Sequence, residues 1–331
     1  MGKLVTSDFR PAWWLPGPHL QTLWPSLARP APRLDLPRRR IELPDGDFID
    51  LAVAANRGPR VLIVHGLEGG LRSHYAGPFV VRLIENGFRP VFMHLRGNGE
   101  QPNRLARGTH AGLSEDLGVV LAQLAADSEG PVLACIAYSL GGNILLKHLG
   151  ETARPLLQTA VAVSVPFVLR DAMLRLDRGF SRVYHRYLLD KIKASYRRKS
   201  AVLAIPLDES PDLAKIGDID AFDDRVTAPL CGFAGSYDYY KRCSSRQFLP
   251  RISLPTLIVH ALDDPFMYRL TVPYEHELGP GVTLELARRG GHVGFIAGSV
   301  PGRPIYWLEE RILRHLRGFA SRSSGPTAKV D

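Results

Sequence analysis

The apolar positions of this chain fall into two alternating rhythms. Unbroken runs, Val61-Leu62-Ile63-Val64, Pro90-Val91-Phe92-Met93, Val132 to Ala137, Thr159 to Val165, Thr256 to Ala261 and Thr283 to Leu286, have the look of strands covered on both faces. Between them apolar residues return at helical spacing. Phe79, Val80, Leu83 and Ile84 do so up to a stop at Asn86-Gly87, as do Leu117, Val120, Leu121 and Leu124, and then Ile144, Leu145, His148 and Leu149. Ser114 is the expected N-cap of the second helix, with Glu115 and Asp116 favourably placed in its first turn. Arg38 to Val53 alternates around Asp45-Gly46, which predicts a hairpin. The order predicts an α/β fold with a mostly parallel sheet flanked by helices.

Three stretches break the rhythm. From Phe9 to Leu27 the chain is too rich in Pro for a helix and too rich in Trp for a solvated tail, so residues 1–37 are expected to pack onto the body as an N-terminal segment. After Pro166 the alternation stops for about ninety residues. Residues 167–250 are therefore read as a helical cap insertion that divides the core into residues 38–166 and 251–319. Leu308, Ile312, Leu313 and Leu316 predict a closing amphipathic helix, and 320–331 is expected to be a disordered tail.

Composition adds one feature. The chain of 331 residues is 45% hydrophobic and 23% charged, as a globular protein with an ample core should be. Its formal net charge of +9 is concentrated between Arg170 and Lys199, which holds ten Lys/Arg against Asp171, Asp177 and Asp190. Leu174, Leu176, Phe180, Tyr184, Tyr187 and Leu188 interrupt the cations. A solvated helical face is the preferred reading, and peripheral contact of the basic cap with an anionic membrane surface is the second. No motif points to a nucleic-acid partner. Cys135, Cys231 and Cys243 have no metal-ligand spacing, and their odd number argues for a reducing compartment. With no apolar signal segment at the N-terminus, a cytoplasmic location is expected.

The chemistry gathers at strand ends. The run Val132 to Ala137 leads through Tyr138 into Ser139-Leu140-Gly141-Gly142, where the small residues Ala137, Gly141 and Gly142 permit a sharp turn between strand and helix. This matches the G-x-S-x-G pattern of a serine nucleophile except that Ala137 takes the place of the first glycine. Downstream, Asp263-Asp264 follows the strand Leu257 to Ala261, and His292 stands in Gly290-Gly291-His292-Val293-Gly294. A serine hydroxyl needs a base to take its proton and a carboxylate to orient that base, and the order Ser, Asp, His is one in which such triads occur. Ser139, Asp264 and His292 are thus the expected catalytic residues, with Asp263 as the rival acid. The amides of Leu67, after His65-Gly66, and Leu140 are the expected oxyanion donors. His65 is read as shaping its loop. No metal is expected, because the remaining histidines form no ligand spacing.

These motifs, together with Trp13-Trp14-Leu15, His19-Leu20-Gln21-Thr22, Arg96-Gly97, Pro102-Asn103-Arg104-Leu105, His110, Gly112, Asp116, Asp223, Thr227-Ala228-Pro229 and Tyr239-Tyr240, resemble the YheT-like branch of the α/β-hydrolase superfamily over nearly the whole chain. The chain departs from that pattern at Ala137 and at Thr109, where an aromatic often stands. The resemblance implies an α/β-hydrolase fold and a serine hydrolase of carboxylic esters, acting without cofactors on short to medium acyl esters or monoacylglycerols as small-molecule substrates. Acyl transfer to an alcohol and thioester hydrolysis would use the same groups, and a non-catalytic binding protein of this fold is the alternative from another class.

Overall fold

The computed structural model describes residues 1–207 and 211–323. The first part of the chain runs β1 (Lys3–Thr6), α1 (Pro18–Ala28), β2 (Arg38–Glu42), β3 (Phe48–Val53), β4 (Arg60–Val64), α2 (Gly77–Glu85), β5 (Arg89–Met93), α3 (Ser114–Ala126), β6 (Val132–Tyr138), α4 (Leu140–Glu151) and β7 (Leu157–Val163). Then come the helices α5 (Leu169–Leu176), α6 (Ser181–Ser200), α7 (Ile219–Phe222), a π-helical turn at Asp223–Thr227, α8 (Ala228–Leu230) and α9 (Ser236–Cys243). After a 3-10 segment, Ser245–Arg251, the chain closes with β8 (Thr256–Ala261), β9 (Val282–Ala287), the short strands β10 (Ile296–Ala297) and β11 (Ile305–Tyr306), and α10 (Trp307–Ser323).

Among the described residues one sheet has nine strands in the order β1-β9-β8-β7-β6-β4-β5-β3-β2. It is parallel from β1 to β5, and only the hairpin strands β3 and β2 join antiparallel. The strands read as unbroken apolar runs because both faces are covered. Leu62, Val64, Cys135 and Ala137 point to the side packed with Leu117, Leu121, Ile144 and Leu145 from α3 and α4. Their neighbours Val61, Ile63, Ala134 and Ile136 face Phe79, Leu83, Ile312 and Leu316 from α2 and α10.

The segments between β7 and β8 form a cap with its own core of Leu189, Ile192, Ile216, Ile219, Phe222 and Val226. The basic stretch is not one helix but two. Gly179 at φ 54° separates α5 from α6, so the chain turns a corner there.

Four sequence expectations need correction. Residues Pro18–Ala28 are helical despite their prolines: Pro18 sits at the first position, where its missing N–H costs nothing, and only Pro25 breaks the ladder. The chain also begins with a strand, β1, which pairs parallel to β9 from Lys3 opposite Thr283 to Thr6 opposite Leu286. Ser114 is the first residue of α3 rather than its cap, and its hydroxyl donates to Glu151 instead. Finally, α10 runs to Ser323, so residues 320–323 belong to a helix, while 324–331 lie outside the described residues.

Candidate active site

Ser139 stands between the last residue of β6 and the first of α4, with φ 51° and ψ −118°. A side chain rarely adopts this left-handed backbone, and it stays here because its neighbours leave no alternative. The Ser139 N–H donates to Val163 O at 2.8 Å, and α4 starts so close to β4 that a Cβ on Gly141 would come 2.4 Å from His65 O. Gly141 is thus required by close backbone approach, while a Cβ on Gly142 would come 2.7 Å from Val165 Cγ2. Ala137, in place of the pattern's first glycine, is a fully buried strand residue, and its methyl group packs in the core.

The expected acid and base, Asp264 and His292, stand beyond the ends of β8 and β9. His292 Nε2 accepts from Ser139 Oγ at 3.1 Å, and His292 Nδ1–H donates to Asp264 Oδ2 at 2.8 Å. Asp264 is buried, and its other oxygen accepts from the Phe266 N–H at 2.9 Å. That contact turns the Asp264 loop back so that the Phe266 ring stacks on the imidazole, 3.9 Å between centroids and 3° between planes. Asp263 faces the other way: its Oδ1 accepts from the Gly291 N–H at 3.0 Å, so it braces the histidine's loop, and burial raises its pKa.

The Leu140 amide follows Ser139 directly, and the Leu67 amide follows Gly66. Gly66 lies against the serine, since a Cβ on it would sit 3.2 Å from Ser139 Cβ. Among the described residues neither amide donates to a protein acceptor, as befits the start of a helix and the tip of a tight loop. His65 holds that loop: Nδ1 meets Gly66 O at 2.6 Å and Nε2 accepts from the Leu95 N–H at 3.1 Å. Complete burial lowers its pKa to about 4 and keeps the ring neutral. Also among the described residues, no group of three His, Cys, Asp or Glu is disposed to hold a metal ion.

Residues 59–299 match the family model described as the alpha/beta hydrolase fold. The chain belongs to that family. Across 93% of its length this hydrolase is 41% identical to the YheT protein of Escherichia coli (strain K12), of which it covers 92%. It is 26% identical to the mouse protein named Phospholipase ABHD3, covering 92% of this chain and 77% of that one. With the monoacylglycerol lipase of Saccharomyces cerevisiae it shares 27% identity, over 79% of this chain and 59% of the yeast protein. Among solved structures, the Pyrococcus furiosus esterase Pf2001 shares the fold, with a TM-score of 0.57 and 15% identity over 97% of this chain and 100% of that one.

The hydrolase supports its histidine from an unexpected quarter. Thr22 Oγ1, on α1, accepts the His292 N–H at 2.9 Å while donating to Pro18 O at 2.7 Å. Gln21 donates to Ile296 O at 3.0 Å and accepts from the Ile296 N–H at 2.7 Å. Ser164 Oγ, just beyond β7, accepts from the Val293 N–H. The Gln21-Thr22 pair had been singled out in the sequence only as part of a motif, and its meaning depends on contacts that no local pattern reveals. Asn143, at the first turn of α4, likewise bridges Ala111 O and Cys243 O and accepts from the Ser245 N–H, tying the nucleophile's helix to the cap.

A cavity of about 160 Å³ opens beside the two candidate oxyanion amides. Leu67 and Leu140 line it, and Leu169, Met173, Ile192 and Phe222 continue the apolar wall. Polar groups complete it. Glu68 accepts from Ser195 Oγ of α6 at 2.5 Å, and burial raises its pKa. Asp223, in the π-helical turn, accepts from the Tyr240 hydroxyl at 2.8 Å, and burial lifts its pKa to about 7. Lys199 donates to the carbonyls of Leu105, Ala106 and Arg107, and burial pushes it down to about 8.

Proposed function

We propose that this α/β-hydrolase cleaves carboxylic esters through an acyl-enzyme on Ser139. The observation that carries the reading is the hydrogen-bonded series from Ser139 Oγ to His292 and on to Asp264, at 3.1 and 2.8 Å, starting from a serine on a strained turn. His292 takes the hydroxyl proton as Oγ attacks the ester carbonyl, and Asp264 holds the imidazole in the required tautomer and stabilises the imidazolium. The Leu67 and Leu140 amides receive the oxyanion. The proton then passes from Nε2 to the departing alcohol, and a water activated by the same histidine releases the acid and restores Ser139.

The cavity suits the acyl part, because the two residues that would hold the oxyanion also line it. Its size and apolar wall favour short to medium acyl chains, including those of monoacylglycerols. An ester substrate is in keeping with relatives named as a phospholipase and a monoacylglycerol lipase. The test is turnover of a series of p-nitrophenyl acyl esters. Ser139→Ala and His292→Ala are expected to lower kcat at least ~10³-fold without changing the thermal melt, and variants as active as the parent would refute the reading. Met173→Trp is expected to shift the chain-length optimum towards shorter esters.

A further inference from the structure

The corner between α5 and α6 presents a surface that the ester chemistry does not explain. Leu174, Phe180, Val183 and Tyr187 are large apolar residues, yet they are 48, 49, 54 and 59% exposed. Phe180, Val183 and Tyr187 are spaced i, i+3, i+7, so they form one stripe along the first half of α6. Arg178, Arg182, Arg186 and Lys191 stand exposed beside the stripe. None of the four pairs with a carboxylate among the described residues. The acidic groups on this part of the cap are Asp171, Asp177 and Asp190, and Asp177 is engaged by His185 at 2.5 Å. Lys193 and Lys199 of the same helix are turned inward, where they donate to backbone carbonyls. The sequence cluster therefore divides into buried cations that fasten the cap and exposed cations that surround an apolar ridge.

The ridge borders the histidine side of the site. Phe180 packs on His19 with centroids 4.6 Å apart, Tyr184 packs on Phe266 at 5.0 Å, and Phe266 stacks on His292. Ser181 Oγ donates to Pro265 O at 2.6 Å, which fixes the first turn of α6 to the loop that carries Asp264. Phe180 also contacts Tyr184, so a series of rings connects the exposed stripe to the imidazole.

We propose that this corner docks on an anionic lipid surface, with Phe180, Val183 and Tyr187 entering the headgroup layer and Arg178, Arg182, Arg186 and Lys191 pairing with lipid phosphates. Apolar side chains flanked by cations that no carboxylate neutralises are what such a surface rewards: the apolar area leaves water and each cation gains the negative surface potential. Lys191 Nζ already lies over the Tyr187 ring at 5.2 Å. A solvated face would need the cations but not the stripe. Nucleic acid would use the cations without burying three aliphatic and aromatic side chains in a row. The consequence for the enzyme is that its site lies at the membrane boundary, next to esters dissolved in the lipid.

The test uses the full chain and vesicles of phosphatidylcholine alone or mixed with phosphatidylglycerol, at low and high salt. Cosedimentation is expected only with the anionic vesicles and is expected to weaken with salt. Arg182→Gln/Arg186→Gln is expected to lose at least about tenfold in vesicle affinity, from roughly fivefold per cation. Val183→Ser/Tyr187→Ser is expected to lose the part of binding that resists salt. Thermal melts check that both variants fold, and hydrolysis of a water-soluble p-nitrophenyl ester should stay unchanged. Vesicle binding is read without turnover, so it succeeds or fails independently of the ester-hydrolase reading. Parent protein that binds no anionic vesicle, or variants that bind as well as the parent, would overturn the proposal. So would duplex DNA binding that depends on Arg182 and Arg186 while vesicle binding does not.

Discussion

At Asp263 and Asp264 two adjacent carboxylates divide two tasks. Asp264 Oδ2 meets the imidazole and Asp263 Oδ1 meets the backbone of the loop that carries it, so each residue's loss should have its own signature. Asp264→Asn presents an amide to the His292 Nδ1 side and disfavours the tautomer in which Nε2 accepts; kcat on p-nitrophenyl esters is expected to fall by ~10³–10⁴ with KM little changed. Asp263→Asn keeps an acceptor for Gly291 N–H and removes a buried charge, so activity is expected to remain within about tenfold of the parent. The opposite ranking would exchange the assignments. The sequence narrowed the acid to this pair because strand ends in parallel sheets gather ligand-facing groups. Which of the two points inward depends on the turn made by Pro265 and Phe266, a matter of three-dimensional path. Ser114 teaches the same lesson in reverse. Its residue type and position suited a cap, yet Glu151 from the neighbouring helix offers its hydroxyl a charged acceptor and the cap is left unmade.

At the scale of elements, the strands were the most legible part, because burial on both faces leaves an unbroken apolar run that nothing else in a chain of this size needs. Helix α1 was illegible for an equally physical reason. Pro25 removes one rung of its ladder, and what compensates is tertiary: Gln21 is bonded to Ile296, Trp24 packs edge-on against Trp14 at 5.0 Å, and Arg29 forms an ion pair with Glu309 at 2.6 Å. Strand β1 is too short to show a period, and it is recognised only by its partner β9. The reward for this arrangement is at Thr22. Thr22→Val, nearly isosteric, deprives the buried His292 N–H of its acceptor, and kcat is expected to drop about tenfold with KM spared while Thr22→Ser restores it. A Thr22→Val enzyme with normal kcat would show that α1 merely covers the loop. Gly141→Ala makes a second check on an element boundary. Its methyl group would have to occupy the space of His65 O, so soluble, stable protein with normal activity would contradict the close approach of α4 to β4.

For the molecule as a whole, buried titratable groups set the dependence of stability on pH. Burial holds His65, His74, His260 and His315 neutral, with pKa values of about 4, and His110 at about 3. In the unfolded chain each takes up a proton near 6.5. Between that value and about 4 the unfolded state binds more protons, so stability falls as pH falls. Asp223 acts in the opposite sense: raised to about 7, its carboxyl keeps a proton that the unfolded chain gives up near 4, and stability falls as pH rises through that window. The carboxyls of Glu68 and Asp263, also raised by burial, act in the same sense as Asp223, but the five histidines held far below 6.5 are expected to dominate and give a lower Tm at pH 5 than at pH 7. Asp223→Asn should steepen that difference, since it removes one opposing contribution. A Tm independent of pH over this interval would mean that the histidines titrate normally.

The two ends of the described chain meet at the site. Thr22 and His292 are bonded across 270 positions, and β1 completes the sheet only by lying against β9. A growing polypeptide can therefore assemble the central strands and the nucleophile's turn early, but its first thirty or so residues have nowhere to settle until the last strands exist. Competence for turnover becomes a late event of folding. After dilution from denaturant, far-UV circular dichroism should recover first and ester hydrolysis second, the lag marking the moment when the N-terminal helix closes over the histidine's loop.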